Sequence, residues 1–213
     1  ESEVYYADHV SGAFPLVLAK FLFKKKVIVR FNWDWSYFVR REYNLFTYLF
    51  IRLIEHISIK NADVVIATTP HLKSVVLNRY KFTRKVVVIP NWINTNLFKP
   101  KKLQKQKHTI ISIGRLVSQK DYSLLLRSIK NLGNGYSLTI IGTGPEKDKL
   151  KSYAKNNKIK LNILEKVDNT QIPSFLNMHS VYVSTSRYEG HPKAILEAMS
   201  CAIPVIATDL VGN

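Results

Sequence analysis

An α/β fold is predicted, made of two doubly wound parallel-sheet units facing a cleft, and three observations predict it. Short β-branched runs alternate with longer amphipathic stretches along the whole chain. Most of the short runs are apolar without interruption, as strands are when helices cover both faces of a sheet. The alternation pauses once, at a basic and polar stretch over 99–107, and then restarts. The 213 residues hold one large domain or two small ones, with room for a sizeable core.

In order, Val4–Ala7 reads as a strand, Gly12–Phe23 as a helix and Val27–Phe31 as a strand. Arg40–Lys60 reads as one long helix, with Leu45, Leu49, Leu53 and Ile57 at helical spacing. Asp63–Ala67 is a strand, Pro70–Tyr80 a helix opened by proline, and Lys85–Ile89 a strand. Residues 1–98 thus form a first domain and 99–108 an inter-domain linker. The second domain, 109–213, runs strand Thr109–Ile113, helix Tyr122–Asn131, strand Ser137–Ile141, helix Pro145–Asn156 and strand Leu161–Glu165. Helix Gln171–Asn177, strand Val181–Ser184, helix Pro192–Ser200 and strand Pro204–Ala207 complete it. No short-period repeat or low-complexity tract is present.

A hydrophobic fraction of 46% and a charged fraction of 22% exclude disorder, collagen and a coiled coil as the main architecture. No run of about 18 uncharged apolar residues exists, so a spanning helix is not expected. The single cysteine cannot pair internally, which fits a reducing compartment. No signal peptide is visible, and the first residue, Glu1, implies an upstream segment. The net charge of +17 is uneven: residues 1–107 carry 19 basic and 7 acidic side chains, residues 108–213 carry 13 and 8. Such a half attracts an anionic partner, whether nucleic acid, acidic lipid or a phosphorylated substrate, or simply forms a lysine-rich solvated surface. Within it, Arg30–Ile59 interleaves Arg40, Arg41 and Arg52 with Trp33, Trp35, Tyr37, Phe38, Tyr43, Phe46, Tyr48 and Phe50. Three readings stand: a membrane-surface patch, a stacking platform for single strands, or a buried helix with an aromatic core face.

Chemistry concentrates in the second half. Arg187-Tyr188-Glu189-Gly190-His191-Pro192-Lys193-Ala194-Ile195-Leu196-Glu197 follows a strand and enters a helix. Two carboxylates then flank the first amides of that helix, which lack intrahelical partners and suit a phosphate. Ile113-Gly114-Arg115-Leu116, with Lys120 five residues past Arg115, places two cations where a strand opens into a loop. Ile141-Gly142-Thr143-Gly144-Pro145-Glu146 repeats the strand–glycine–helix pattern. With Glu165 at the next strand end it invites a dinucleotide reading, but Lys147 occupies the third glycine position of that fingerprint.

Together, Ser112-Ile113-Gly114-Arg115-Leu116 with Lys120, Ile141-Gly142-Thr143-Gly144-Pro145, and the Glu189/Glu197 pair resemble glycosyltransferase family four, the group 1 glycosyltransferases of GT-B fold. The run 198–208 and Val88-Ile89-Pro90-Asn91 with Phe98 extend the resemblance, which is close in the second half and loose in the first. It implies two Rossmann-like domains, and a retaining, metal-independent transfer of a sugar from a nucleotide-diphosphate donor to a glycan or lipid-linked acceptor. No cofactor and no metal ligands are implied; the nucleotide-sugar is a substrate. By resemblance Arg115, Lys120 and Glu189 are catalytic. The donor is held by Gly114, Gly142, Gly144, Gly190, His191, Pro192, Lys193 and Glu197, with the backbone near Val167 facing the base. Asp34 and Asn91 are assigned to the acceptor side. Polysaccharide or lipopolysaccharide synthesis at the cytoplasmic face of a membrane, with an anionic lipid surface as partner and no nucleic acid, is the context implied.

Departures from the pattern are specific. Asn32 stands after the second strand where many members have histidine, Trp92 replaces glycine, Asn94 replaces Asp, and Ala202 stands where glycine caps a helix, which predicts a strained left-handed residue. The N-terminal glycine-rich loop is missing and the chain stops at Asn213, so a fragment of a longer enzyme, truncated at both ends, is expected. The competing readings are a non-catalytic module for anionic membrane or nucleic acid, without a nucleic-acid motif to support it, and a dinucleotide oxidoreductase.

Overall fold

The computed structural model describes residues 3–82, 84–133 and 135–210. The described chain divides into two compact units, one made of residues 3–91 with Glu189–His191, the other of Trp92–Tyr188 with residues 192–210. The first holds a four-stranded parallel sheet in simple order, β1 (Val4–Ala7), β2 (Lys26–Phe31), β3 (Val64–Ala67) and β4 (Lys85–Val88). Its helices are α1 (Ala13–Phe23), α2 (Trp35–Glu42), α3 (Leu45–Asn61) and α4 (Pro70–Tyr80). Val27, Val29 and Phe31 alternate along β2 into a core shared with Val65, Ala67, Ile59, Val76 and Tyr80. Lys20 reaches from α1 to the Asn61 carbonyl and to Asp63, at 2.8 and 2.7 Å. Burial alone would raise the Asp63 pKa, but Lys20 and the Val27 amide outweigh it and hold the carboxyl below its usual range.

The predicted single helix over Arg40–Lys60 is two helices. Asn44 takes an extended conformation and its side chain accepts from the Thr47 amide at 2.9 Å, a helix start in the middle of the apolar pattern. Asp34 likewise caps α2 by accepting from the Tyr37 amide.

The second unit carries a five-stranded parallel sheet in the order β7-β6-β5-β8-β9. Its strands are β5 (Thr109–Ile113), β6 (Ser137–Ile141), β7 (Lys160–Leu164), β8 (Val181–Ser184) and β9 (Val205–Ala207). Its helices are α5 (Tyr122–Leu132), α6 (Lys147–Asn156), α7 (Ile172–Met178) and α8 (Lys193–Ser200). Both faces of the central strand β5 are covered. Leu125, Leu126, Ile129 and Leu150 pack over Leu138 and Ile140 in one cluster, while Ile195, Ala198 and Ile203 pack with Ile111 and Tyr182 in the other. The chain leaves β5 in one direction for β6 and β7 and later returns on its other side for β8 and β9. That reversal opens a crevice at the carboxyl ends of β5 and β8, where ligands bind in such sheets.

The domain boundary falls after Asn91 rather than after Phe98, because Phe98 is buried in the second core. The stretch read as a linker, 99–108, is strapped to the second unit. Asn177 in α7 accepts from the Lys101 amide at 2.7 Å and donates to the Lys99 carbonyl, and the Gln106 amide donates to the Met178 carbonyl. The strain expected at Ala202 is present: φ is +53°, with Ala202 N–H bonded to the Met199 carbonyl and Ile203 N–H to the Ala198 carbonyl. This is the Schellman arrangement, in which the left-handed residue is ordinarily glycine.

Candidate functional site

Three strand ends in the second unit are laced together by backbone. The Gly114 amide donates to Ile141, the Leu116 amide to Thr143 and the Gly142 amide to Leu164, at 2.8–3.0 Å. The loops after β5 and β6 therefore lie one on the other. A Cβ on Gly142 would sit 2.0 Å from the Gly114 carbonyl oxygen, and one on Gly144 2.3 Å from that of Leu116. The two glycines are there because no side chain fits between the loops, which is the physical content of the pattern read from sequence. At Gly114 an added Cβ would meet the Lys120 side chain at 3.0 Å, so Lys120 lies over the opening of the strand. Arg115 is exposed beside it.

The loop carrying Lys120 is tied in turn to the loop after β8. Thr185 Oγ1 donates to the carbonyls of Lys120 and Asp121 at 3.0 Å, Arg187 N–H donates to the Gln119 carbonyl at 2.8 Å, and Gln119 Nε2 donates to Tyr188. Arg187 Nε pairs with Asp121 Oδ2 at 3.0 Å. These bonds hold both cation-bearing turns at the mouth of the reversal crevice. Gln119, Asp121 and Thr185 are the positioning residues that sequence reasoning missed. Asp121, ahead of the apolar period of α5, carried a legible capping signal, and its side chain indeed accepts from the Leu124 amide. Gln119 and Thr185 carried none.

After β8 the chain enters α8 through Pro192, which has no side-chain cap, so the first amides of the helix bond to no capping side chain of Pro192. Glu197 lies one turn inside α8 on the side of Lys193. Burial raises its pKa, and the Lys193 ammonium partly offsets that. Val167 packs its side chain against the second core, which leaves its backbone, rather than its side chain, for the role expected there. Glu165 pairs with Lys147. The acid and the obstructing lysine of the incomplete dinucleotide fingerprint are thus engaged with each other.

The remaining predicted residues belong to the first unit. Gly190 lies against β2: a Cβ there would stand 1.9 Å from the Asn32 carbonyl oxygen. His191 is pinned by Asn91, whose backbone N–H donates to His191 Nδ1 at 3.0 Å and whose Nδ2 donates to the His191 carbonyl at 2.6 Å. Asn91 Oδ1 accepts from Arg30. An accepting Nδ1 places the imidazole proton on Nε2, and burial lowers the His191 pKa, so the ring is neutral with one N–H to donate. Asn32 Oδ1 is buried without a hydrogen-bond partner among the described residues. Besides capping α2, the Asp34 carboxylate, assigned to the acceptor side, pairs with Arg79 at 2.6 Å. Glu189 is partly exposed in the segment that opens this group.

Residues 94–213 match the family model of the group 1 glycosyl transferases, and residues 4–97 match that of glycosyltransferase family 4. The chain belongs to this glycosyltransferase family. Among curated relatives, the amylovoran biosynthesis glycosyltransferase AmsD of Erwinia amylovora is 30% identical over 155 residues, covering 70% of this chain and 44% of the relative. A Campylobacter jejuni N-acetylgalactosaminyltransferase, named for a diphospho-undecaprenol-linked acceptor, is 28% identical over 158 residues, covering 70% and 42%. The chain spans less than half the length of these relatives. In fold it matches the sucrose-phosphate synthase of Thermosynechococcus elongatus with a TM-score of 0.85 at 18% identity, over 98% of this chain and 56% of that one. It matches Anabaena HepE, solved with UDP and glucose, with a TM-score of 0.82 at 17% identity, over 99% and 60%. The GT-B glycosyltransferase fold expected from the motifs is the fold of this chain.

Proposed function

We propose that the protein carrying this chain transfers a sugar, with retention of anomeric configuration and without a metal ion, from a nucleoside-diphosphate sugar to a glycan or lipid-linked acceptor. One observation carries the reading: the laced strand ends of the second unit present Arg115, Lys120 and the start of α8 at the same end of one sheet. When the bond from the sugar to the diphosphate breaks, the electron pair and negative charge leave with the phosphate. Fixed cations and amide dipoles there stabilise that charge without reorganising. Glu197 accepts from the ribose hydroxyls, and the glycine notches at Gly142 and Gly144 let the donor approach the backbone. In the first unit His191 offers an Nε2–H donor and Glu189 a carboxylate, groups of the kind that hydrogen-bond sugar hydroxyls.

The relatives support the substrate classes. AmsD is named for polysaccharide synthesis and the Campylobacter enzyme for a lipid-diphosphate acceptor, while HepE was solved with UDP and glucose. The test is transfer by the whole protein from a panel of nucleotide-sugars, in the presence of a chelator, with the product anomer read by NMR coupling. The reading predicts chelator-resistant turnover, a retained anomer and a loss of about 100-fold in kcat/KM for Glu197→Ala. An inverted anomer, chelator-sensitive turnover or an unimpaired Glu197→Ala enzyme contradicts the respective assignment.

A further inference from the structure

We propose that the first unit docks on an anionic lipid bilayer through the outward face of α3 and the neighbouring end of α1. The helix α3 is inside out. Its inward residues include Glu55 and Ser58, both fully buried, whereas its outward arc carries Leu45, Phe46, Leu49, Phe50 and Leu53, exposed by 70, 81, 54, 56 and 56%. At 100° per residue these five fall within one arc of about 140°, opposite the buried Glu55, Ser58 and Ile59. A helix that only had to cover its sheet would show the reverse pattern. Next to it, α1 packs on α3 and exposes Phe21, Leu22 and Phe23 by 65, 77 and 60%. Exposed apolar area in one place, on this scale, marks an interaction surface.

The charges around the patch choose the partner. Across α1 and α3 the only acidic residue is Glu55, and it points inward. Lys24, Lys25 and Lys26 follow directly on Phe23. Arg40 and Arg41 close α2 with their guanidinium groups over Tyr48 and Tyr37, at 5.9 and 4.2 Å from the ring centroids, and outnumber the adjacent Glu42. Aromatic and aliphatic rings at headgroup depth with cations on the phosphates is the arrangement of an interfacial anchor. A second copy of the chain, meeting this one by a two-fold axis, would set the same cations against each other. No helix among the described residues is long and apolar enough to cross a membrane, so the contact is with the surface.

The experiment is flotation of the whole protein with vesicles of phosphatidylglycerol and phosphatidylcholine, and with phosphatidylcholine alone, across a salt series. Light scattering of the protein without lipid runs in parallel. Two variants are compared with the wild type: Phe46→Ser with Phe50→Ser, and Arg40→Glu with Arg41→Glu, all at exposed positions, with thermal melts as the check on folding. The expected result is binding to the anionic vesicles only, weakened at least about tenfold by either variant and by added salt. Binding that survives the two serines overturns the assignment of this face. So does absence of vesicle binding, or a dimer without lipid that the serine variant dissociates. Because the readout is lipid binding, it stands apart from any result on sugar transfer.

Discussion

Helices α3 and α5 cover their sheets in opposite ways. In α5, Leu125, Leu126 and Ile129 face the core while Arg127, Lys130 and Asn131 face water. In α3, a carboxyl and a hydroxyl face the core beside Ile59, while three leucines and two phenylalanines face outward. The difference teaches that amphipathic spacing records a stripe without saying which side of the molecule it serves. In the second unit sequence is spent on a close-packed frame for strand ends. In the first, part of it is spent on a surface, and the core accepts a buried acid as the cost.

The contrast can be broken at several points. The largest effect is expected at the frame itself. Gly142→Ala forces a methyl into the Gly114 carbonyl and should destabilise the second unit by on the order of 4 kcal/mol, read by denaturant unfolding; a loss below about 1 kcal/mol would show that the loops are not in contact. Next come matched truncations in the two helices. Leu126→Ala, at a fully buried site, should cost about 3 kcal/mol, and Leu49→Ala, more than half exposed, less than about 0.5 kcal/mol. Equal costs would mean that the outward face of α3 is covered in the protein.

The buried acid gives a pH signature. Burial raises the Glu55 pKa above its unfolded value, while the hydrogen bond from Tyr80, at 2.5 Å, offsets part of that. A raised carboxyl pKa favours the fold below the unfolded value, and that contribution is lost as pH climbs through the folded one. Stability should therefore fall by up to about 1.4 kcal/mol per pH unit in that window, relative to Glu55→Gln. A wild-type curve parallel to that of the glutamine variant would refute it. The smallest effect is at the end of α8. Ala202→Gly should stabilise by about 1 kcal/mol in a melt, because glycine adopts the left-handed turn without a Cβ penalty; a destabilised variant would contradict the strain.

Much of this was legible beforehand, for local reasons. Strands Val4–Ala7, Thr109–Ile113, Ser137–Ile141 and Val181–Ser184 end where the apolar runs end. The strain at Ala202 could be anticipated because one position after a helix decides it. The glycines at 142 and 144 were visible, and the close approach that requires them is now explicit. What was hidden depends on distant partners. The break at Asn44 has neither glycine nor proline to announce it, and only its capping bond ends the apparent helix. The pairing of Asp34 with Arg79, 45 residues away, is announced by no local pattern. The stretch 99–108 looks like a tether because its backbone partners, Asn177 and Met178, lie far along the chain. The bonds from Gln119 and Thr185 that set Lys120 in place join loops more than 60 residues apart.

The central claim is that Arg115 and Lys120, at the strand ends of the second unit, receive a diphosphate. Calorimetric titration of the whole protein with uridine, guanosine and adenosine diphosphates, repeated on Arg115→Ala, tests it most directly. Binding of at least one nucleotide by the wild type, weakened about 100-fold in the variant, roughly 3 kcal/mol, is the predicted result. Nucleotide binding that is indifferent to Arg115, or none by a folded wild-type protein, would contradict it.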